Sequence, residues 1–260
     1  MAKLETIGNI KLPVIRFTRH AMKWIKAMVD VHDQEVGWYG LVQETGKYEF
    51  TVTEIFYPKH ELMTATTCEI DPNGNVELAN KLMDAGRDED VMRIKLWGHS
   101  HHNMGVSPSG QDDDMGLELA ADNGDYLIRL IANKKGDMGI TFYDMKKGLK
   151  ISDLDYYVDE SEEEATAVLS AIADAINSEG NPVEILDLIR VYSEPLPLND
   201  KEYEEIVEEV KKLREVNEPK TTYGSYSKNW PKTKAKTKKN GISGTRFNND
   251  YYEHFYGGLI

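Results

Sequence analysis

Apolar residues recur along this chain in two periods, and the switches between them mark out its elements. Residues 10–14 are extended and apolar and read as a short strand. Thr18 has the side chain of an N-cap. The run that it opens, TRHAMKWIKAMVDVHDQ, sets Met22, Ile25, Met28 and Val29 at helical spacing, which predicts an amphipathic helix ending near Asp33. The period then falls to two. GWYGLVQE and KYEFTVTEIFYP are rich in aromatic and β-branched residues with Thr45-Gly46 between them, so a β-hairpin is expected.

Another strand is expected at residues 64–70, stopped by Asp71-Pro72-Asn73-Gly74. A helix at 75–85 follows, carrying Val76, Leu78, Ala79 and Leu82. VMRIKLWGHSHH reads as a strand that delivers histidines at its end. A Gly-, Ser- and Pro-containing loop leads to a short helix from about residue 111, and YLIRLIAN and GITFYDM supply two closing strands around 134–137. Residues 1–150 are thus expected to form one α/β domain, a mixed sheet flanked by helices without a βαβ repeat.

The texture changes after Lys150. Ala165, Val168, Leu169, Ile172 and Ile176 mark a helix within 159–177, and 183–189 and 199–215 read as two more, so 151–217 is expected to be a helical extension. Residues 218–245 are polar and Lys-rich and are expected to be a disordered linker, a basic tail with too little aliphatic surface to fold alone. The segment 246–260 regains aromatics, the layout of a docking motif for a partner protein or of a strand that returns to the domain.

Composition narrows the function classes. A net charge of −14 and a pI near 5.0 argue against a protein that coats nucleic acid, whose phosphates select basic surfaces. One cysteine, Cys68, rules out an intramolecular disulfide and reads as a small buried apolar side chain. No stretch of about 18 apolar residues occurs, so no membrane span and a soluble, cytoplasmic protein are expected.

The chemistry gathers in HSHHNMGVSPSGQD, residues 99–112. His99 and His101 lie two apart at a strand end, so both side chains leave on one face and can reach one ion. Two imidazoles and an aspartate make a three-ligand zinc site that leaves a position for water, and zinc makes such a water acidic near neutral pH. A His-x-His pair alone is weak, since surface histidines often fall at this spacing.

The full string is more specific. His99-x-His101, seven residues, Ser109, two residues and Asp112 reproduce the spacing of the JAMM (MPN+) metallopeptidases, with Pro108 directly before the serine. QEVGWYGLV supplies Glu35, Gly37 and Gly40 where that family carries a glutamate ahead of the motif. The chain resembles that family over roughly residues 10–145. The resemblance implies an MPN-like (cytidine-deaminase-like) fold, Zn²⁺ on His99, His101 and Asp112, Glu35 as general base and Ser109 as oxyanion donor. It further implies hydrolysis of a peptide or isopeptide bond in a protein substrate, commonly after the C-terminal glycines of a ubiquitin-like protein. A lone core of this type suits a bacterium or a phage.

Rival residues have simpler readings. Glu44 flanks the expected turn, Glu49 and Glu54 belong to a solvated strand face, and Asp113 and Asp114 suit a helix N-terminus. His102 departs from the family pattern, where proline often follows the second histidine, and reads as an exposed loop residue. His20, His32, His60 and His254 lack ligand spacing and read as ordinary polar residues, while Trp38 and Trp97 read as core. Two other function classes stand beside the peptidase: an inactive MPN-type scaffold, which would have no reason to keep every metal residue, and a nucleobase deaminase, whose usual zinc site needs more cysteine than Cys68.

Overall fold

The computed structural model describes residues 6–7, 10–159, 170 and 198–219. Apart from residues 170, 218 and 219, the expected helices within 160–197, the Lys-rich linker and the aromatic terminal segment lie outside the described residues. In chain order the elements are β1 (Thr6–Ile7), β2 (Ile10–Lys11), β3 (Val14–Thr18), α1 (Arg19–Val31), β4 (Gly37–Gly46), β5 (Glu49–Phe56), β6 (His60–Met63) and β7 (Cys68–Ile70). There follow α2 (Pro72–Asp84), α3 (Asp88–Val91), β8 (Ile94–Ser100), α4 (Gly110–Asn123), β9 (Tyr126–Ala132), β10 (Met138–Asp144), β11 (Leu149–Ile151), β12 (Tyr156–Asp159) and α5 (Lys201–Asn217). This is an α/β protein around one eight-stranded mixed sheet, in the order β11-β10-β9-β8-β4-β5-β3-β12.

Side-chain alternation along the strands gives the sheet two apolar faces. Leu96, Ile128, Leu130, Ile140 and Phe142 pack with α1 residues Met22, Ile25 and Met28 in the larger core. Trp97, Leu127 and Tyr143, one position over on the same strands, pack with Ala120 of α4. The two helices therefore cover opposite faces. His99 has the parity of Trp97 and so belongs to the α4 face, together with Gly37, its cross-strand partner in β4.

α1 starts where the N-cap signal put it, the Thr18 hydroxyl accepting the Ala21 amide hydrogen at 3.1 Å. Several other boundaries move. The strand expected at 10–14 divides, and its longer part is β3, whose alternate residues Ile15 and Phe17 are fully buried. The hairpin turn sits at Lys47-Tyr48 rather than Thr45-Gly46, with Tyr48 at φ 65°. Its ring packs within 5.9 Å of Phe142 and its hydroxyl bonds Asp144, contacts that offset a strained backbone. The single strand expected at 64–70 is a small hairpin, β6 and β7, turned by Thr64 and Thr67. Asp71-Pro72 stops the strand at Ile70 as expected, but it also starts α2 three residues earlier than expected, with Asp71 as N-cap and Pro72 in the first turn.

The short helix expected after the histidines is α4, 14 residues long and closed by Gly124 at φ 78°. With β8 and β9, which run parallel, it makes one βαβ unit. The sheet also runs past residue 150: β12 lies parallel to β3 at its edge. The helix expected at 199–215 is α5, which packs on α1 through buried Tyr203, Ile206 and Val210. Lys23 of α1 binds Asp200 at 2.6 Å and Glu202 at 2.5 Å, and Asn217 Nδ2 donates to the Tyr57 carbonyl at 2.8 Å.

Candidate metal centre

β8 is buried along nearly its whole length, as a central strand must be, and needs Gly98 where Trp38 crosses it. A Cβ there would lie 2.2 Å from Trp38 Nε1. His99 closes the strand beside Trp97, their rings 5.1 Å apart, and His101 continues the same parity, its amide donating to the Ala132 carbonyl at 2.8 Å. The chain then leaves the sheet through His102, half-buried at φ 44°, and returns at Ser109 to start α4. The C-terminal end of a parallel strand thus faces the N-terminus of its crossover helix, a usual location for a ligand site in α/β sheets.

Asp112 is aimed by the helix start. Ser109 Oγ accepts the Asp112 amide hydrogen at 3.2 Å, and the Asp112 carboxylate accepts the Ser109 amide hydrogen at 2.6 Å, a reciprocal capping box. Its other side faces the histidines. His99 Nε2 lies 3.1 Å from His101 Nε2 and 3.1 Å from Asp112 Oδ1, and His101 Nε2 lies 3.5 Å from Asp112 Oδ2. Ligands about 2.0–2.1 Å from a tetrahedral zinc are about 3.3 Å from one another, and the two imidazole nitrogens lie at separations of that order from each other and from the Asp112 carboxylate.

The donor chemistry fits a cation as well. His101 Nδ1 lies 2.8 Å from the Gly105 carbonyl, a partner that suits a proton on Nδ1 and leaves Nε2 to a cation. Without a metal, the hydrogen bond with Asp112 raises the His101 pKa and favours a proton on Nε2 instead. His99 Nδ1 is buried and has no hydrogen-bond partner among the described residues. Burial lowers the His99 pKa despite Asp112 beside it, which favours the neutral ring that a metal requires. Burial pushes the Asp112 carboxyl up, but hydrogen bonds from His101, His99 and the Ser109 amide outweigh it and hold the group below the usual carboxylate range. Among the described residues this is the one group of three or more such side chains whose ligand atoms lie within 4.8 Å of one another.

Glu35 comes from the other side. Gly37 pairs with His99, and two residues further along this antiparallel register Glu35 comes opposite His101, on the same face. Its amide donates to the Thr64 carbonyl at 2.7 Å, which ties the segment to the β6–β7 hairpin, and its side chain is buried. Burial pushes the Glu35 carboxyl up to about 7; His101 pulls it down and Asp112 adds to the rise.

The rival carboxylates sit elsewhere. Glu49 pairs with Lys11, Glu54 with Arg87, and Asp113 with Arg129 and Lys150. Cys68 is half-buried, with its thiol pushed up by burial and by the charges of Glu35 and Asp112. Two histidines expected to be ordinary polar residues are buried tethers. His32 links the Met28 carbonyl to Tyr57 Oη, and His60 links the Pro58 carbonyl to the Gly37 amide. One residue was missed altogether. Arg129 stands in the middle of the apolar run YLIRLIA, 1% exposed, and a lone charge in a buried strand is the signal that could have found it.

No protein-family model matches the chain, and no curated protein does. Among solved structures it is similar to the solution structure of protein DSY2949 from Desulfitobacterium hafniense, with 15% identity and a TM-score of 0.41 over 57% of this chain and 94% of that one. A likeness so loose carries no functional argument. What stands is a buried His-His-Asp group able to hold a metal ion, and no described helix long and apolar enough to cross a membrane.

Proposed function

We propose that this protein is a zinc-dependent hydrolase of peptide or isopeptide bonds, of the JAMM type, with His99, His101 and Asp112 as metal ligands. The observation that carries the reading is the convergence of those three side chains beside a buried glutamate whose pKa is raised to about 7. Zinc held there supplies a Lewis acid that polarises a carbonyl and makes water a nucleophile at neutral pH.

The chain's own residues do the rest. Glu35 takes a proton from the attacking water as its oxygen adds to the carbonyl carbon, and passes that proton to the nitrogen as the C–N bond breaks. Burial makes the Glu35 carboxylate a stronger base than an exposed glutamate would be. Ser109 Oγ accepts from the Asp112 amide, so its own O–H is left to donate to the carbonyl oxygen as negative charge develops there. The resemblance to JAMM enzymes supports a ubiquitin-like tail as substrate, and the return of aromatic residues at 246–260 supports a partner docking there.

Metal analysis and peptidase assays on the full chain and on Glu35→Gln test the reading. About one zinc per chain is expected in both, with hydrolysis of a panel of ubiquitin-like fusions by the first alone and its loss in chelator. Zinc content that survives replacing His99 and Asp112 together would remove the proposal.

A further inference from the structure

Arg129 lies in β9, on the sheet face that α4 covers, and its side chain is 1% exposed. Nη1 donates to the Asp112 carbonyl at 3.0 Å and to Asp113 Oδ1 at 2.7 Å, and Nη2 donates to Thr141 Oγ1 at 3.0 Å. The guanidinium stands over the ring of Tyr143, its Cζ 5.6 Å from the centroid, while Nε has no partner among the described residues. Burying a charge is expensive, and a contact that needed only packing would be met by leucine, as it is at Leu127 on the same face. The charge therefore has a task that an apolar side chain could not perform.

The register shows what that task is. Arg129 pairs with Trp97 and Ile131 with His99, so the guanidinium and the first histidine stand on adjacent strands at a fixed offset. Its forked donors reach across to the first turn of α4 and grip the backbone of Asp112 together with the side chain of the next residue. Ser109 sets the rotation of the Asp112 carboxylate within the turn; nothing in the capping box sets the distance of that turn from β8. We propose that Arg129 is a positioning residue for the metal centre, bolting the helix that carries Asp112 to the sheet that carries His99 and His101. This rests on the reading of those three residues as metal ligands, and Arg129 itself touches neither metal nor substrate.

Zinc affinity by chelator competition, the visible absorption of the Co²⁺-substituted protein, and thermal unfolding would be measured on the full chain, on Arg129→Met, Arg129→Lys and Asp113→Asn, and on Lys150→Gln. Lys150 is the half-exposed second partner of Asp113, 2.7 Å away. Both Arg129 variants are expected to bind zinc about 10–100-fold more weakly, the usual effect of removing a group that orients a ligand, with a changed Co²⁺ spectrum. Asp113→Asn should fall between them and the parent, and Lys150→Gln should stay within about fivefold, as an exposed ion pair allows.

Arg129 variants that unfold earlier yet keep the parent affinity and spectrum would reduce Arg129 to packing and overturn the inference. So would a loss in Lys150→Gln equal to that in Arg129→Met. If Arg129→Met does not fold, Arg129→Lys and Asp113→Asn carry the same comparison. A parent chain that binds neither Zn²⁺ nor Co²⁺ removes the metal reading and this inference together, whereas a parent that binds and variants that do not differ from it remove this inference alone.

Discussion

His60 shows how much a single residue can carry without any part in chemistry. Its Nδ1 donates to the Pro58 carbonyl and its Nε2 accepts the Gly37 amide hydrogen, so only the neutral ring satisfies both partners. Burial pushes its pKa from 6.5 down to about 4, and burial lowers His32 as well. Between those two values the unfolded chain binds a proton that the folded chain does not. Stability present above pH 6.5 is therefore lost as pH falls towards about 4, by up to about 3 kcal/mol for His60. Urea unfolding at pH 7, 5.5 and 4.5 should show this loss, and His60→Gln, whose amide keeps a donor and an acceptor, should flatten it; equal pH slopes in the two proteins would contradict it. The sequence offered no hint, because His60 lacks ligand spacing and its burial depends on a hairpin that local pattern did not resolve. Asp112 was singled out for the opposite reason, since the spacing of His99, His101, Ser109 and Asp112 is a local property, whereas Glu35 was singled out only through the family resemblance.

At the scale of elements, the site is made by β8, α4 and the start of β4. The strand parity that put His99 and His101 on one face was readable, and so was the existence of a helix after them. The close crossing of Trp38 over Gly98 was not, because two strands distant in sequence decide it. Gly98→Ala is expected to destabilise the fold by about 1–3 kcal/mol or more, since the new Cβ meets the Nε1 edge of a rigid, fully buried indole rather than a movable side-chain end. Equilibrium unfolding of Gly98→Ala against Gly110→Ala, where a Cβ meets nothing within 4 Å, checks it. Asp71-Pro72-Asn73-Gly74 shows where local reading is ambiguous. The same residues suit a turn and a helix start, and only Asp71 Oδ1 accepting the Asn73 amide hydrogen at 2.9 Å decides for the helix.

For the molecule as a whole, the sheet and its helix layers extend beyond the first 150 residues. β12 completes one edge of the sheet, and α5 buries α1 so fully that Lys23 is 4% exposed and must be paired with Asp200 and Glu202. Val210 is completely buried in this contact. Val210→Asp is expected to cost about 3 kcal/mol or more, because it places an unpaired carboxylate in an apolar interface. A thermal unfolding midpoint unchanged by that substitution would show that α5 adds nothing to the domain. The helical period of 199–215 was legible, but its docking surface was not, since an amphipathic stripe says that a helix is covered and not by what.

By itself the sequence determined whatever depends on near neighbours along the chain: α1 with its Thr18 cap, the hairpin, the strand that ends in two histidines, and the motif spacing. Backbone geometry fixes these, because side chains two apart in a strand, or three and four apart in a helix, share a face in any fold. The tertiary structure alone decided that Asp112 meets His99, that Glu35 is buried opposite His101, that Arg129 grips the turn carrying Asp112, and that α5 closes over α1. Each of these is a distance across a strand pair or a helix contact, set by sheet order and register, and no local period encodes it.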